Sequence, residues 1–185
     1  MGPIAGLLVG VRPPTARWRI GGEAEERVGR YLSTSVGGRG IVLHDRAITG
    51  RQSNIDHLVV VSTGVWVIDT KRYRGRVRRG RSRGRWSRRR TLVVNGHERS
   101  ELLSSARRQR AVVQAVVGCG VPVRAVLCFT GAAWGSGAST FTVGGVLVTH
   151  PARLARVLRA RGSVGPADRR AVAARLAHAF PPFPP

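Results

Sequence analysis

Three ionisable residues, Asp56, Asp69 and Lys71, stand in a stretch from Asn54 to Lys71 that otherwise reads as a buried β-hairpin. An isolated charge is costly to bury, so apolar strands accept such groups where they hold a metal or do chemistry at a sheet edge. Side chains alternate along a strand, which puts Asp69 and Lys71 on one face with Val65 and Val67. Trp66, Ile68 and Thr70 take the other face, and on the preceding strand Asp56, Leu58 and Val60 form one set. Ser62-Thr63-Gly64 is the turn between the strands. A two- or four-residue loop there sets Asp56 opposite Asp69, with Cβ atoms roughly 5 Å apart. Carboxylates that close repel, and a divalent cation is the usual remedy. Hard cations such as Mg²⁺ take oxygen ligands and keep several waters. Lys71 could orient or deprotonate a water there, or neutralise a developing charge. The plainer alternative is an exposed Asp-Lys ion pair on an edge strand, which is worth little.

The elements that must position these groups are legible as runs and breaks. A helix is expected from about Gly22 to Ser33, and strands at 41–48, 55–61 and 64–71. A basic segment follows at 72–90, then a short strand, Leu92–Val94, closed by Asn95-Gly96. Next come a long helix over 98–118, a strand at 122–129, a Gly/Ala/Ser loop at 131–139 and a strand region at 141–149. Helices near 151–161 and 166–179 close the pattern. This is an α/β chain with a central mixed sheet flanked by helices. Residues 1–18 read as an irregular arm, 19–150 as the core, and 151–185 as helices packed on it with a proline-rich tail. Leu154, Val157, Leu158, Val172 and Leu176 would make that packing, or equally a homodimer face.

Two helices offer a polar group toward the sheet. In the first, Glu25 aligns with Val28 and Leu32 on the apolar face, whereas Glu23 and Glu26 align with Arg27, Arg30 and Ser33 outside. The helix dipole alone explains acids near a helix start, but not one turned inward. In the 98–118 helix Gln109 interrupts the stripe Leu102, Ala106, Val113 and Val116, while Gln114 lines up with Arg107 and Arg110 outside. A buried glutamine needs partners, which a site, a bound water or the core itself can supply.

These pieces together resemble the nuclease-related domain, NERD, a branch of the PD-(D/E)xK nuclease superfamily. The matching segments are Gly-Gly-Glu-Ala-Glu-Glu-Arg-Val at 21–28, Asn-Ile-Asp-His at 54–57, Gly-Val-Trp-Val-Ile-Asp-Thr-Lys at 64–71 and Tyr-Arg-Gly-Arg-Val at 73–77. With the glutamine-bearing helix near 109, the resemblance covers about residues 20 to 130. It implies a restriction-endonuclease-like core and Mg²⁺- or Mn²⁺-dependent phosphodiester cleavage. Asp56, Asp69, the Thr70 carbonyl and Glu25 would then make the metal shell, and Lys71 would activate water. Gln109 matches the helix glutamine. His57 matches the pattern too, in a packing or hydrogen-bonding role. DNA is the substrate such a family implies; a catalytically silent nucleic-acid-binding module of the same fold is the alternative.

Charge points the same way. The chain carries 32 Lys plus Arg against 9 Asp plus Glu, a net +23 in 185 residues, and such a field favours polyanions. Arg72, Arg74, Arg76 and Arg78 alternate, so on a strand they share a face. Arg79, Arg81, Arg83 and Arg85 are expected to continue the row after a phase change, with Gly80 and Gly84 allowing bends. Guanidinium groups bind phosphate bidentately, and Tyr73 or Trp86 could stack a base; a solvated loop is the bland reading. An anionic membrane surface fits poorly, since the ladder has no apolar face. No run approaches the roughly 20 apolar residues of a span. Ile4–Val11 lacks the basic start of a signal peptide, and position 6 lacks the Ser or Thr of a myristoylation motif, so a cytoplasmic place is expected. Cys119 and Cys128 have neither disulfide-scaffold numbers nor zinc spacing, and read as structural.

Overall fold

The computed structural model describes residues 16–50, 53–81, 90–134 and 139–184. Helix α1 (Ala16–Val36) leads to strands β1 (Ile41–Ala47), β2 (Asn54–Val61) and β3 (Gly64–Arg81). Then come β4 (Arg90–Val94), β5 (His97–Glu98), α2 (Ser100–Val117), β6 (Val123–Trp134), β7 (Phe141–Val143), β8 (Val146–Thr149), α3 (Pro151–Leu158) and α4 (Pro166–Ala179). Among the described residues eight strands form one sheet of order β1-β2-β3-β6-β8-β7, with β4 on β3 and β5 on β4. β3 runs parallel to β6 and β6 to β8, and the other pairs are antiparallel. This is the mixed, helix-flanked sheet of a restriction-endonuclease-like core.

Helices cover both faces, which is why β2 reads as the unbroken run Leu58-Val59-Val60-Val61 rather than as an alternation. Leu58, Val60, Val65 and Val67 pack with Val113 and Val117 of α2 and Val172 and Leu176 of α4. Val59, Val61, Trp66 and Ile68 pack with Val28, Leu32 and Val36 of α1 and Leu154 and Leu158 of α3. α3 and α4 thus pack on opposite sides of the sheet. Cys128 is core filling and Cys119 is exposed, both as free thiols.

Four expectations change. Residues 16–18 belong to α1 rather than to an arm, and residues 1–15 lie outside the described residues. The loop expected from 131 begins later, because β6 runs on to Trp134 against Val77. The proline-rich tail is built into the fold: Ala47 N donates to Pro181 O (2.8 Å), Phe183 N donates to Asp45 O (2.8 Å), and Pro182 bridges to Arg46. It thus covers the free edge of β1, a hazard for any sheet. Finally, β3 continues through the first part of the basic segment to Arg81.

Candidate active site

The sheet forks where the ionisable residues stand. β2 and β3 are paired from Val61–Gly64 to His57–Ile68 and then part. β2 stays with β1 as far as Asn54, and β3 stays with β6 as far as Val77. Only from Val77 does β3 regain a neighbour, β4, on its other edge. Side chains fill the gap. The Thr70 amide donates to Asp56 Oδ2 (2.7 Å), the Arg76 amide to Asn95 Oδ1 (3.0 Å), and Asn95 Nδ2 to the Arg74 carbonyl (2.6 Å). The two-residue turn Ser62-Thr63 sets the register, and one step past the His57–Ile68 pair Asp56 faces Asp69.

Both carboxyls are held in surroundings that disfavour charge. Burial pushes Asp56 well above the usual carboxylate range, with the charges of Asp69 and Glu25 adding to it; the Thr70 amide and Lys71 pull the other way. Burial likewise raises Asp69, against the opposing pull of Lys71 and a hydrogen bond with Asp56. Burial of the two carboxyls side by side thus disfavours their both carrying charge. The Asp69 side chain is 4% exposed and its Oδ1 lies 2.5 Å from Lys71 Nζ. Burial would lower Lys71, but the Asp69 and Asp56 charges outweigh it and hold the ammonium above its usual range.

Glu25 is half-buried on α1, between buried Ala24 and Val28, while Glu23 and Glu26 are exposed and Glu26 pairs with Arg30. Burial raises its carboxyl, and the fields of Asp45 and Asp69 raise it further. Lys71 acts on it in the opposite sense. From the opposite layer Gln109 Nε2 donates to the Asn54 carbonyl (3.2 Å), while its buried Oε1 has no partner among the described residues. The structure thus brings Asp56, Asp69, Thr70, Lys71, Glu25 and Gln109 to one end of the sheet.

His57 is buried, and its Nδ1 lies 3.0 Å from His44 Nδ1 while His44 Nε2 lies 2.9 Å from Ser33 Oγ. Burial, and to a lesser extent His44, holds His57 down at about 3. It is a neutral, hydrogen-bonded core residue. Its partner His44 gave no signal of its own in the sequence, nor did Asp45, which adopts φ 48 and accepts from Asn54 Nδ2 (2.6 Å). Asn95 was legible as a turn residue, but not as the clamp across the gap.

The arginine ladder is corrected in three respects. Arg72, Arg74, Arg76 and Arg78 are exposed and alternate with half-buried Tyr73 and buried Val77, which pack on the α2 side. β3 keeps an unbroken register with β4 from Val77 to Arg81, so Arg79 and Arg81 fall on the opposite face and do not extend the row. Gly80 makes no bend; a Cβ there would lie 2.5 Å from Val93 Cγ2. Tyr73 is packed against Phe129 (5.8 Å between centroids) under Arg99, so it is not a free stacking platform. Arg83, Arg85, Gly84 and Trp86 lie outside the described residues. Among the described residues no helix is long and apolar enough to cross a membrane.

No curated protein matches the chain, and no solved structure does. The family model for the nuclease-related domain matches residues 20–130, which span the first helix, the fork, the arginine strand and Gln109. On that match over more than half its length, the chain belongs to the nuclease-related domain (NERD) family.

Proposed function

We propose that this protein is a divalent-metal-dependent nuclease that hydrolyses phosphodiester bonds in DNA. The observation that carries this reading is the buried Asp56–Asp69 pair beside Lys71 in the fork, continuous with an exposed row of arginines on the same strand. The donor set fits a hard cation. It is all oxygen, and burial raises both adjacent carboxyls, a penalty that a bound cation would relieve. Asp56, Asp69 and the Thr70 carbonyl would hold Mg²⁺ or Mn²⁺, with Glu25 reaching it through water. Such an ion, when bound, offsets charge on the phosphate oxygens and makes its water more acidic.

The chain's own residues do the rest. Lys71, kept as an ammonium by Asp69, orients the attacking water and opposes the negative charge that grows on phosphorus. Burial of Asp69 limits competing water, so these charges act at reduced screening. Arg74, Arg76 and Arg78 hold flanking phosphates, with guanidinium groups that cannot lose their protons at working pH. The test is cleavage of supercoiled plasmid and single-stranded DNA with Mg²⁺ or Mn²⁺, beside EDTA and the Asp69→Ala and Lys71→Ala proteins. Metal-dependent nicking that both variants lack is the expected result. Nicking retained in both would overturn the assignment, and no nicking with intact salt-sensitive binding would leave a binding module.

A further inference from the structure

Between α1 and the strands β1 and β2 lies a cleft of about 600 Å³ that shares only Glu25 with the proposed carboxylate site. Gly22, Glu25, Gly29 and Ser33 line it from α1, recurring every three or four residues. This stripe is distinct from Ala24, Val28, Leu32 and Val36, which enter the core. His44 and His57 form the facing wall, tied to each other and to Ser33 by the hydrogen bonds above. Gly29 makes room for them, since a Cβ there would lie 3.2 Å from each ring. His57 is only 2% exposed, yet its Nε2 has no partner among the described residues. A buried ring nitrogen without a partner is a place for a ligand group or a water. Glu25 links the cleft to the fork, since it lines the cleft and lies close enough to Asp69 and Lys71 to feel their charges.

We infer that this cleft receives one unpaired nucleotide next to the cleaved bond, so that the preferred substrate is a single strand or a frayed end rather than an intact duplex. The inference rests on the proposed nuclease reading and narrows its substrate. The cleft has the size of ordinary small-ligand sites, roughly 300–1,000 Å³. The exposed ring of His44 offers a face on which a base can stack, and Ser33, Thr34 and His57 supply polar contacts. A base that stays stacked in a duplex cannot enter a space between a helix and a sheet. Extruding it is least costly where it is already unpaired.

Tryptophan substitutions at the two ends of the cleft's α1 wall, Gly22→Trp and Thr34→Trp, test this without touching the carboxylates, Lys71 or the histidines. Among the described residues nothing lies within 4 Å of a Cβ at Gly22, so that variant should fold. Binding of a short labelled oligothymidylate is compared with binding of a blunt duplex of equal length, both in EDTA. Each variant should bind the single strand roughly tenfold more weakly and the duplex as the unsubstituted protein does. Thymidine trinucleotide should shift the His44 ring resonances of the unsubstituted protein, but not of the variants. Unchanged single-strand affinity in both variants, or silent His44 resonances, would overturn the inference. An Arg74→Ala/Arg76→Ala/Arg78→Ala protein run alongside separates the failures. If it loses affinity while the tryptophan variants do not, the cleft reading alone fails; if it binds as before, the nucleic-acid reading fails as well.

Discussion

The two halves of β3 solve opposite problems with one strand. From Gly64 to Asp69 every residue is buried, between β2 and β6 and under helices on both faces. From Arg72 to Arg78 the even-numbered residues are arginines in solvent. The first half holds few charges in surroundings where each one matters, which raises the Asp56 and Asp69 carboxyls and locks the Lys71 proton. The second half holds many charges where each counts for little alone and only their sum is felt. Chemistry requires the former and capture of a polyanion the latter. The fork is the boundary, where β3 loses β2 and has not yet gained β4.

Substitutions that act on one half alone should separate the two roles. The largest effect is expected in the buried half: Asp69→Ala or Lys71→Ala should cut the cleavage rate about a thousandfold while DNA affinity hardly moves, as read from single-turnover rates and equilibrium binding. Parallel losses of rate and affinity would erase the division. In the exposed half, neutralisation of about six phosphates predicts a loss of roughly 10³-fold in affinity between 50 and 200 mM salt. The Arg74→Ala/Arg76→Ala/Arg78→Ala protein should flatten the log–log salt slope by about three. Arg79→Ala/Arg81→Ala should flatten it less, because those side chains occupy the other face; an equal change would contradict the split row.

A third prediction concerns pH. The Asp56 carboxyl is raised above its unfolded value, so its stabilising contribution is complete below about pH 4 and is lost as pH rises through the raised value. In EDTA near neutral pH, Asp56→Asn should therefore raise the melting temperature, by about 2–4 °C per kcal/mol gained. The same variant should lose the stabilisation by Mn²⁺ that the unsubstituted protein shows increasingly toward higher pH. A lower melting temperature in EDTA would mean that Lys71 already compensates the pair. The smallest effect is expected for Gln109→Leu, about 1 kcal/mol for a lost hydrogen bond to the Asn54 carbonyl, measured by denaturant unfolding.

Much of this was written locally. Asp56 and Asp69 are opposed because alternation and a short turn require it, and Glu25 is half-buried because it lies at the border of the face that Val28 and Leu32 bury. The glutamine at 109 breaks an apolar stripe, so its inward position was legible, though its bond to Asn54 was not. What could not be read came from partners distant in sequence. Residues 72–81 read as a basic segment for which an arginine strand or a solvated loop stayed open, and they are a strand because β6 and β4 pair with them. Arg79 and Arg81 change face because β3 and β4 keep their register, where composition suggested a phase change. His44 and Asp45 join the site region through tertiary neighbours. The segment Pro181–Phe183 reads only as a proline-rich tail, and its place in the fold comes from the open edge of β1.

The Asn95 clamp carries one more implication. Its side chain occupies the space that a Cβ at Gly75 would need, and Gly75 itself sits at φ 94 beside the register shift in β3. Neither position can vary by itself: a side chain at 75 collides with the amide, and an apolar residue at 95 strands the Arg74 carbonyl and the Arg76 amide. A turn in one strand and a kink in another thus form a single inherited unit, and drift in the arginine row between them is free only while that pair holds.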